Sequence, residues 1–453
     1  MTRQPSPGWP PGPGMSRRSF LQGALVLTGG LTVAGCSTPL GAGLVGSDVA
    51  PGTVDYWDLF GGGDGVRMQQ MLDGFREEHP ELGLQAVTLA WGNPYYTKLS
   101  LATLGDQPPD VAVSHLSRVP TFVAAGLLQE LAPADLEQHE MSAQNFSERS
   151  WEGCQVDGKT YAIPLDTHPF VLFYNTDICE QAGLLDGDGQ LVPLDSEEAV
   201  TDAFTRAKEV SGEWGAVCSL DGDTSTNWRI FQSMYSQLGG EVLAEDGTEV
   251  VIDDDKALQV LNFLKSLSVD DTLMPASVDY GGAVALFASG KSGFYMQGEW
   301  EIATFQTAEM PFSMTLFPNV YGGDSYAVQA DLHTLVVPKR SDDDQERTDR
   351  ALTFMRSLLD QSLIWAEGGH VPSWLPVQES AEYKALQPQS NYAAAADAAV
   401  LDPPAWYSGS GSNFEIVTGS AIATVRAGQA EPEAAIDQMR QDLQVLADTA
   451  PPV

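Results

Sequence analysis

A chain of 453 residues, 43% of them hydrophobic, has apolar material for more than one core. Its 62 acidic side chains against 23 basic ones give a formal net charge of −39. That balance argues against nucleic acid as a partner and against electrostatic docking on anionic lipid. The acids fall in runs such as Asp253–Asp255 and Asp342–Asp344, which read as solvated surface.

The N-terminus reads as an export signal rather than as fold. Residues 1–14 are rich in Pro and Gly, and Met15 is an alternative start. SRRSFL at 16–21 is a twin-arginine pattern, and the apolar stretch 23–34 is too short for a comfortable membrane span. VAGC at 33–36 then has the form of a lipobox, in which Cys36 takes the lipid and becomes the first mature residue. The signal is therefore placed at 1–35 and a flexible tether at 36–53. Its removal takes away Arg3, Arg17 and Arg18 and no acid, so the mature chain is more acidic still. The mature chain is expected outside the cytoplasmic membrane, anchored by Cys36. Cys154, Cys179 and Cys218 remain, an odd number. Export permits one bridge among them, with the pair left open. No cysteine or histidine spacing reads as a metal site, and no cofactor is expected.

From Val54 onward, strands alternate with helices. Residues 54–57 form a first strand that runs into the glycine-rich stretch 58–65, read as a loop. Met68, Met71, Leu72 and Phe75 then carry a helical spacing that stops at Pro80. The glycines lack the Gly-Lys-Ser/Thr of a phosphate loop, but free amides there could meet hydroxyls of a neutral ligand. Strands at 84–89 and 108–113 end at Trp91-Gly92-Asn93-Pro94-Tyr95 and at Ser114-His115. In a parallel α/β sheet ligands lie beyond the carboxyl ends of strands, which singles out Trp57, Asp58, Trp91, Asn93, Tyr95, Ser114 and His115.

The stretch DGKTYAIPLDTHPFVLFYN, 157–175, is the pivot of the reading. Asp157-Gly158 is a turn, Pro164 ends a strand, and Leu165–Pro169 is a polar crossing before a fully apolar strand, 170–174. Asp166 and His168 sit at that crossing. Asp186–Glu197 faintly echoes a calcium loop, but Leu191 occupies the glycine position, so it reads as a turn. Residues 228–238 read as a helix whose aromatics are mostly core. Gln297-Gly298-Glu299-Trp300 ends a strand and exposes a wide ring beside a carboxylate. Asp331 and His333 mark a second crossing, Gly369-His370-Val371-Pro372 a third. An alanine-rich helix is expected at 393–399.

Several motifs in order resemble the extracellular solute-binding proteins of carbohydrate ABC importers: DQPPDV at 106–111, AGLL at 125–128, DGKTYAIP at 157–164 with Tyr174-Asn175, FASGK at 287–291 through Gly298-Glu299-Trp300, and GHVP at 369–372. The resemblance covers about 54–448. It implies an α/β, periplasmic-binding-protein-like fold, two lobes joined by a three-segment hinge. The first lobe would be 54–165 plus 333–372, the second 166–332 plus 373–453. It implies a carbohydrate ligand, a membrane permease as partner, a monomer and no catalysis. Carried onto this sequence, Trp300 would stack on a pyranose, Asp166 and His168 would bond hydroxyls, and Trp57, Gly62, Gly63 and Asp64 would meet the ligand; Glu299, Asp331, His333 and His370 complete the expected set. Two other readings stand beside it. A glycerophosphodiester would want a cation in the cleft, with Lys98 and Arg118 nearest. A secreted glycoside hydrolase would use a carboxylate pair such as Asp166 and Glu299.

Overall fold

The computed structural model describes residues 50–451 apart from 245–246, 323–325 and 343. The twin-arginine pattern, the lipobox with Cys36, the tether as far as 49 and Asp343 lie outside the described residues.

The first lobe is built on a five-stranded sheet in the order Gly83–Thr88, Thr53–Asp58, Val111–His115, His333–Val336, Ala162–Pro164. The first three run parallel, as the strand–helix alternation predicts, and the last two join antiparallel. Helix Gly62–Glu78 covers this sheet with Met68, Met71, Leu72 and Phe75, the four residues whose spacing marked it. Of the stretch 58–65 expected as a loop, only 59–61 is one. Gly61 caps the helix, and Gly62, Gly63, Asp64 and Gly65 are its first turn. A Cβ on Gly63 would stand 2.7 Å from that of Ala303, so the helix start sits against the second lobe.

The second lobe hangs on one strand, Asp166–Asn175, buried along all ten residues. It pairs antiparallel with Ser292–Gly298, Phe312–Leu316, Val328–Asp331 and Val371–Pro372. The crossing is therefore strand rather than the expected polar loop, with Pro169 inside it opposite Ala330. Different partners serve its two halves, so the missing N–H of Pro169 falls where the ladder changes neighbours. Helices are set locally in the usual way. Glu197–Ser211 starts at Ser196, whose hydroxyl accepts from the Ala199 N–H, buries Val200, Ala203, Phe204 and Ala207, and stops at Gly212 with φ 74°.

The lobes meet through backbone only a residue long in two places. Leu165 separates Ala162–Pro164 from Asp166–Asn175, and Leu332 separates Val328–Asp331 from His333–Val336. The Leu165 N–H donates to the His333 carbonyl and the Ser373 N–H to the Leu165 carbonyl, at 2.8 and 3.1 Å. The third crossing touches both lobes: Val371 and Pro372 pair with Thr167 and Asp166, while Trp374 and Val377 pack on the first-lobe core, Trp374 edge-on to Phe146. A glycine loop of the second lobe also reaches the first: Arg118 donates to the Ser410 carbonyl at 2.8 and 3.0 Å.

Three further expectations change or settle. Cys154, Cys179 and Cys218 are free and buried, Cys154 in the first-lobe core and the others in the second, so the bridge does not form. Residues 393–399 are not an α-helix but the end of a 3₁₀ segment, Gln389–Ala398, and a two-residue strand paired to Val328–Asp331. Asp186 closes a turn by accepting from the Asp188 and Gln190 N–H groups, both at 2.9 Å.

Helix Asn413–Arg426 packs so closely on Thr224–Gln237 that a Cβ on Gly419 would lie 1.9 Å from the Thr224 carbonyl oxygen. Gly419→Ala is therefore expected to destabilise the chain by about 2 kcal/mol or more. Gly281→Ala, where nothing stands within 4 Å, should be neutral or stabilising. Urea midpoints of the two variants check this; equal midpoints would refute the close packing.

Candidate functional site

A cavity of about 330 Å³ opens between the lobes. From the first come Leu59, Phe60, Gly61, Asp64, Trp91, His115 and His333; from the second, His168, Asp223, Ser225, Thr226, Arg229, Tyr280 and Trp300. The first-lobe wall follows strand Thr53–Asp58, where Asp58 accepts from the Phe60 N–H at 3.2 Å and turns Leu59-Phe60-Gly61 into the opening. The second-lobe wall is the start of helix Thr224–Gln237. Asp223 caps it, accepting from the Thr226 N–H at 3.0 Å, and so aims Ser225, Thr226 and, a turn later, Arg229 at the cavity. Trp300 is half-buried. Its indole N–H donates to the Tyr280 hydroxyl at 2.9 Å, and the Arg229 guanidinium lies 5.1 Å from its ring centre. Trp91, 42% exposed, presents the other broad ring.

Behind this wall lies a buried polar cluster. Asp166 accepts from the His333 backbone N–H at 2.8 Å and from the Trp365 indole at 2.5 Å. Its oxygens stand 2.8, 3.1 and 3.2 Å from the Nδ1 atoms of His333, His370 and His168. Burial pushes the Asp166 carboxyl up, but His333 and His370 outweigh it and hold the group well below the usual range. Burial and the neighbouring His333 push His168 down to about 3, although Asp166 pulls the other way. Burial depresses His370, yet Asp64 and Asp166 lift it well above an ordinary imidazole. Glu299 is buried too, and burial raises it to about 7.

Residues 70–414 match the family described as bacterial extracellular solute-binding protein. The chain belongs to that family. A relative is the maltooligosaccharide ABC transporter solute-binding lipoprotein of Streptococcus pneumoniae, 22% identical over 297 residues, 63% of this chain and 65% of that one. The chain thus spans somewhat less than two thirds of that relative's length. Among solved structures, an ABC substrate-binding protein from Listeria monocytogenes in complex with cycloalternan superposes with a TM-score of 0.72 at 19% identity, over 88% of this chain and 99% of that one. UgpB from Mycobacterium tuberculosis in complex with glycerophosphocholine gives 0.73 at 16%, over 88% and 99%. At such identities these likenesses establish the two-lobed fold.

In this solute-binding protein the expected site residues divide into three groups. Asp64, Trp91, His115, His168, Trp300 and His333 line the cavity. Asp166, Glu299 and His370 stand one layer behind, touching the lining histidines or one another. The rest are elsewhere. Trp57 is buried in the first-lobe core with Lys98 over its ring, because inward positions of its strand face the helices, not the opening. The Tyr95 hydroxyl is spent on the carbonyls of Trp57 and Val113. Ser114 is buried within its strand, and Asn93 is exposed at a helix start. Gly62 and Gly63 belong to the helix turn. Asp331 binds Ser117, through its N–H at 3.2 Å and its hydroxyl, and so ties the second crossing to the first lobe.

Neither Lys98 nor Arg118 reaches the cavity; the cation on its wall is Arg229. Asp223, Ser225, Thr226 and Arg229 escaped the sequence reading, which began that helix at Trp228. The sign was present in DTSTN, residues 223–227, an Asp cap followed by small polar residues. Asp166 and Glu299, the pair offered for hydrolysis, share His370 Nδ1 at 3.1 Å each, and neither lines the cavity.

Asp58 supplies a pH test of the wall. Burial raises its carboxyl to about 6 against the hydrogen bonds from Thr88 and Phe60. The folded chain therefore holds this proton more tightly than the unfolded one. The stabilisation is complete below about pH 4 and disappears as pH rises through about 6. Relative to Asp58→Asn, the unaltered chain should lose roughly 2 kcal/mol between pH 4 and pH 7. Urea unfolding of both at the two pH values reads it out, and a stability gap that stays constant with pH would contradict the assignment.

Proposed function

We propose that this solute-binding protein is the capture component of an ABC importer, held at the outer face of the membrane by a lipid on Cys36. It takes a carbohydrate, an oligosaccharide by preference, into the cavity between its lobes and delivers it as a monomer to the permease. The observation that carries the reading is the pairing of broad rings from opposite lobes, Trp91 and Trp300, with short polar side chains in one cavity. A pyranose has apolar C–H faces and a rim of hydroxyls. The rings receive the faces, while Asp64, Asp223, Ser225 and Thr226 receive the rim. Contacts from both lobes favour a closed state over an open one, and that difference is what a permease can read. The family and the oligosaccharide named for the pneumococcal relative support the same choice. Binding without catalysis suits a cavity from which the Asp166–Glu299 pair is set back.

One observation favours a second reading. Arg229 puts a guanidinium on the wall, and the structural neighbour UgpB was solved with glycerophosphocholine. A phosphodiester would suit that charge. Against it, Arg229 already lies over the Trp300 ring and 3.9 Å from Glu415.

Calorimetry with malto-oligosaccharides, other di- to tetrasaccharides and glycerophosphocholine separates the two. Saccharide binding is expected, weakened at least about tenfold, or ~1.4 kcal/mol, in Trp300→Ala. Trp57→Phe, altered away from the cavity, should bind as before. Tight glycerophosphocholine binding with no response to any sugar would replace the first reading by the second.

The anchor has its own test. Mass spectrometry of the N-terminal peptide from the membrane fraction should show Cys36 as the first residue, carrying a diacylglycerol. An unmodified Cys36, or a chain that keeps residues 1–35, would refute lipidation at Cys36.

A further inference from the structure

The histidines behind the cavity wall come from all three crossings. Asp166 and His168 open strand Asp166–Asn175, His333 opens His333–Val336, and His370 precedes Val371–Pro372. One donor atom from each of the four lies within 4.8 Å of all the others, and all four side chains are at least nine-tenths buried. Three imidazoles and one carboxylate are a donor set suited to zinc and its neighbours among the divalent transition metals.

A second observation points to a cation. His370 Nδ1 stands 3.1 Å from both Asp166 Oδ2 and Glu299 Oε1, yet it makes a hydrogen bond to neither. Both Glu299 oxygens also lack a hydrogen-bond partner although the residue is fully buried. Buried carboxylates facing an unpaired imidazole nitrogen are costly, and a positive ion among them removes the cost. The surroundings hold the donors in place, as outer groups around metal ligands do. Asp64 Oδ1 lies 3.2 Å from the other nitrogen of His370, and Trp365 stacks on His370 at 4.1 Å while its N–H donates to Asp166. His168 and His333 line the cavity, which gives an ion its way in.

We propose that Asp166, His168, His333 and His370 bind one divalent transition-metal ion, zinc by the nature of the donors, where the three crossings meet. The ion clips the crossings together, and its binding stands apart from the identity of the organic ligand.

The test uses the untagged full chain, stripped with a chelator and exchanged into chelator-free buffer. Zinc is followed by calorimetry, and cobalt(II) by visible absorption as a report of coordination. One zinc per chain is expected, with a rise in melting temperature and a cobalt spectrum of four-coordinate intensity. His333→Ala and His168→Gln should each weaken zinc binding at least about tenfold and abolish the melting shift. His139→Ala, which alters a partly buried histidine paired with Asp349 away from the cluster, should change neither. Should His333→Ala fail to fold, His168→Gln, at the cavity surface of the cluster, carries the comparison. Absence of stoichiometric zinc binding would show that a proton, not a metal, serves these carboxylates and would overturn the proposal, as would binding unaltered in the folded variants. No sugar enters the measurement, so its failure would leave the carbohydrate reading intact.

Discussion

A carboxylate removed from water must be answered by donors, and at Asp166 the donors come from every segment that passes between the lobes. His333 supplies a backbone N–H and a ring, Trp365 an indole N–H and His168 its imidazole, while the His370 ring stands 3.1 Å away. Leaving any one of these partners unpaired in the interior would cost on the order of 1–3 kcal/mol. The crossings are thus locked into register with one another, and the cavity inherits that register. His168 and His333, stacked at 4.1 Å between ring centres, are at once the front of the cluster and the floor of the cavity.

Short crossings make this arrangement possible. Strands of the two sheets follow one another with a single residue between them, Leu165 in one crossing and Leu332 in another. A change of lobe within one residue leaves little slack, so hinge motion must be absorbed in a few backbone angles. Contacts farther out add a second layer of closure. Ser117 meets Asp331 on one side and the Ser410 N–H on the other, and Arg118 holds the Ser410 carbonyl. The first lobe is therefore tied to the second both at the crossings and across the opening.

Much of the plan was legible in one dimension because it depends on periodicity and punctuation. The parallel strands of the first lobe and the helix carrying Met68, Met71, Leu72 and Phe75 both follow from spacing within ten or twenty residues. Errors arose where a local pattern had two physical solutions. A run of glycines can open a loop or start a helix, and packing of Gly63 against Ala303 selected the helix. A polar stretch holding Pro169 can be a loop or a strand, and two flanking partners made it a strand. Alanines at 393–399 favour an α-helix by propensity, but pairing with Val328–Asp331 took their end into a sheet.

By itself the sequence determined the alternation that makes an α/β fold and the family, and it offered an export pattern and Trp300 and His168 as candidates. Each of these is written in neighbouring residues. Only the tertiary structure could decide that Trp57 faces a core, that Arg229 rather than Lys98 or Arg118 is the cation at the cavity, and that Asp166, His168, His333 and His370 share one point. Those four side chains are spread over two hundred residues of chain, and no spacing rule spans such a distance. Their meeting depends on strand register and on which face of each strand is buried, quantities that exist only once the two sheets have formed.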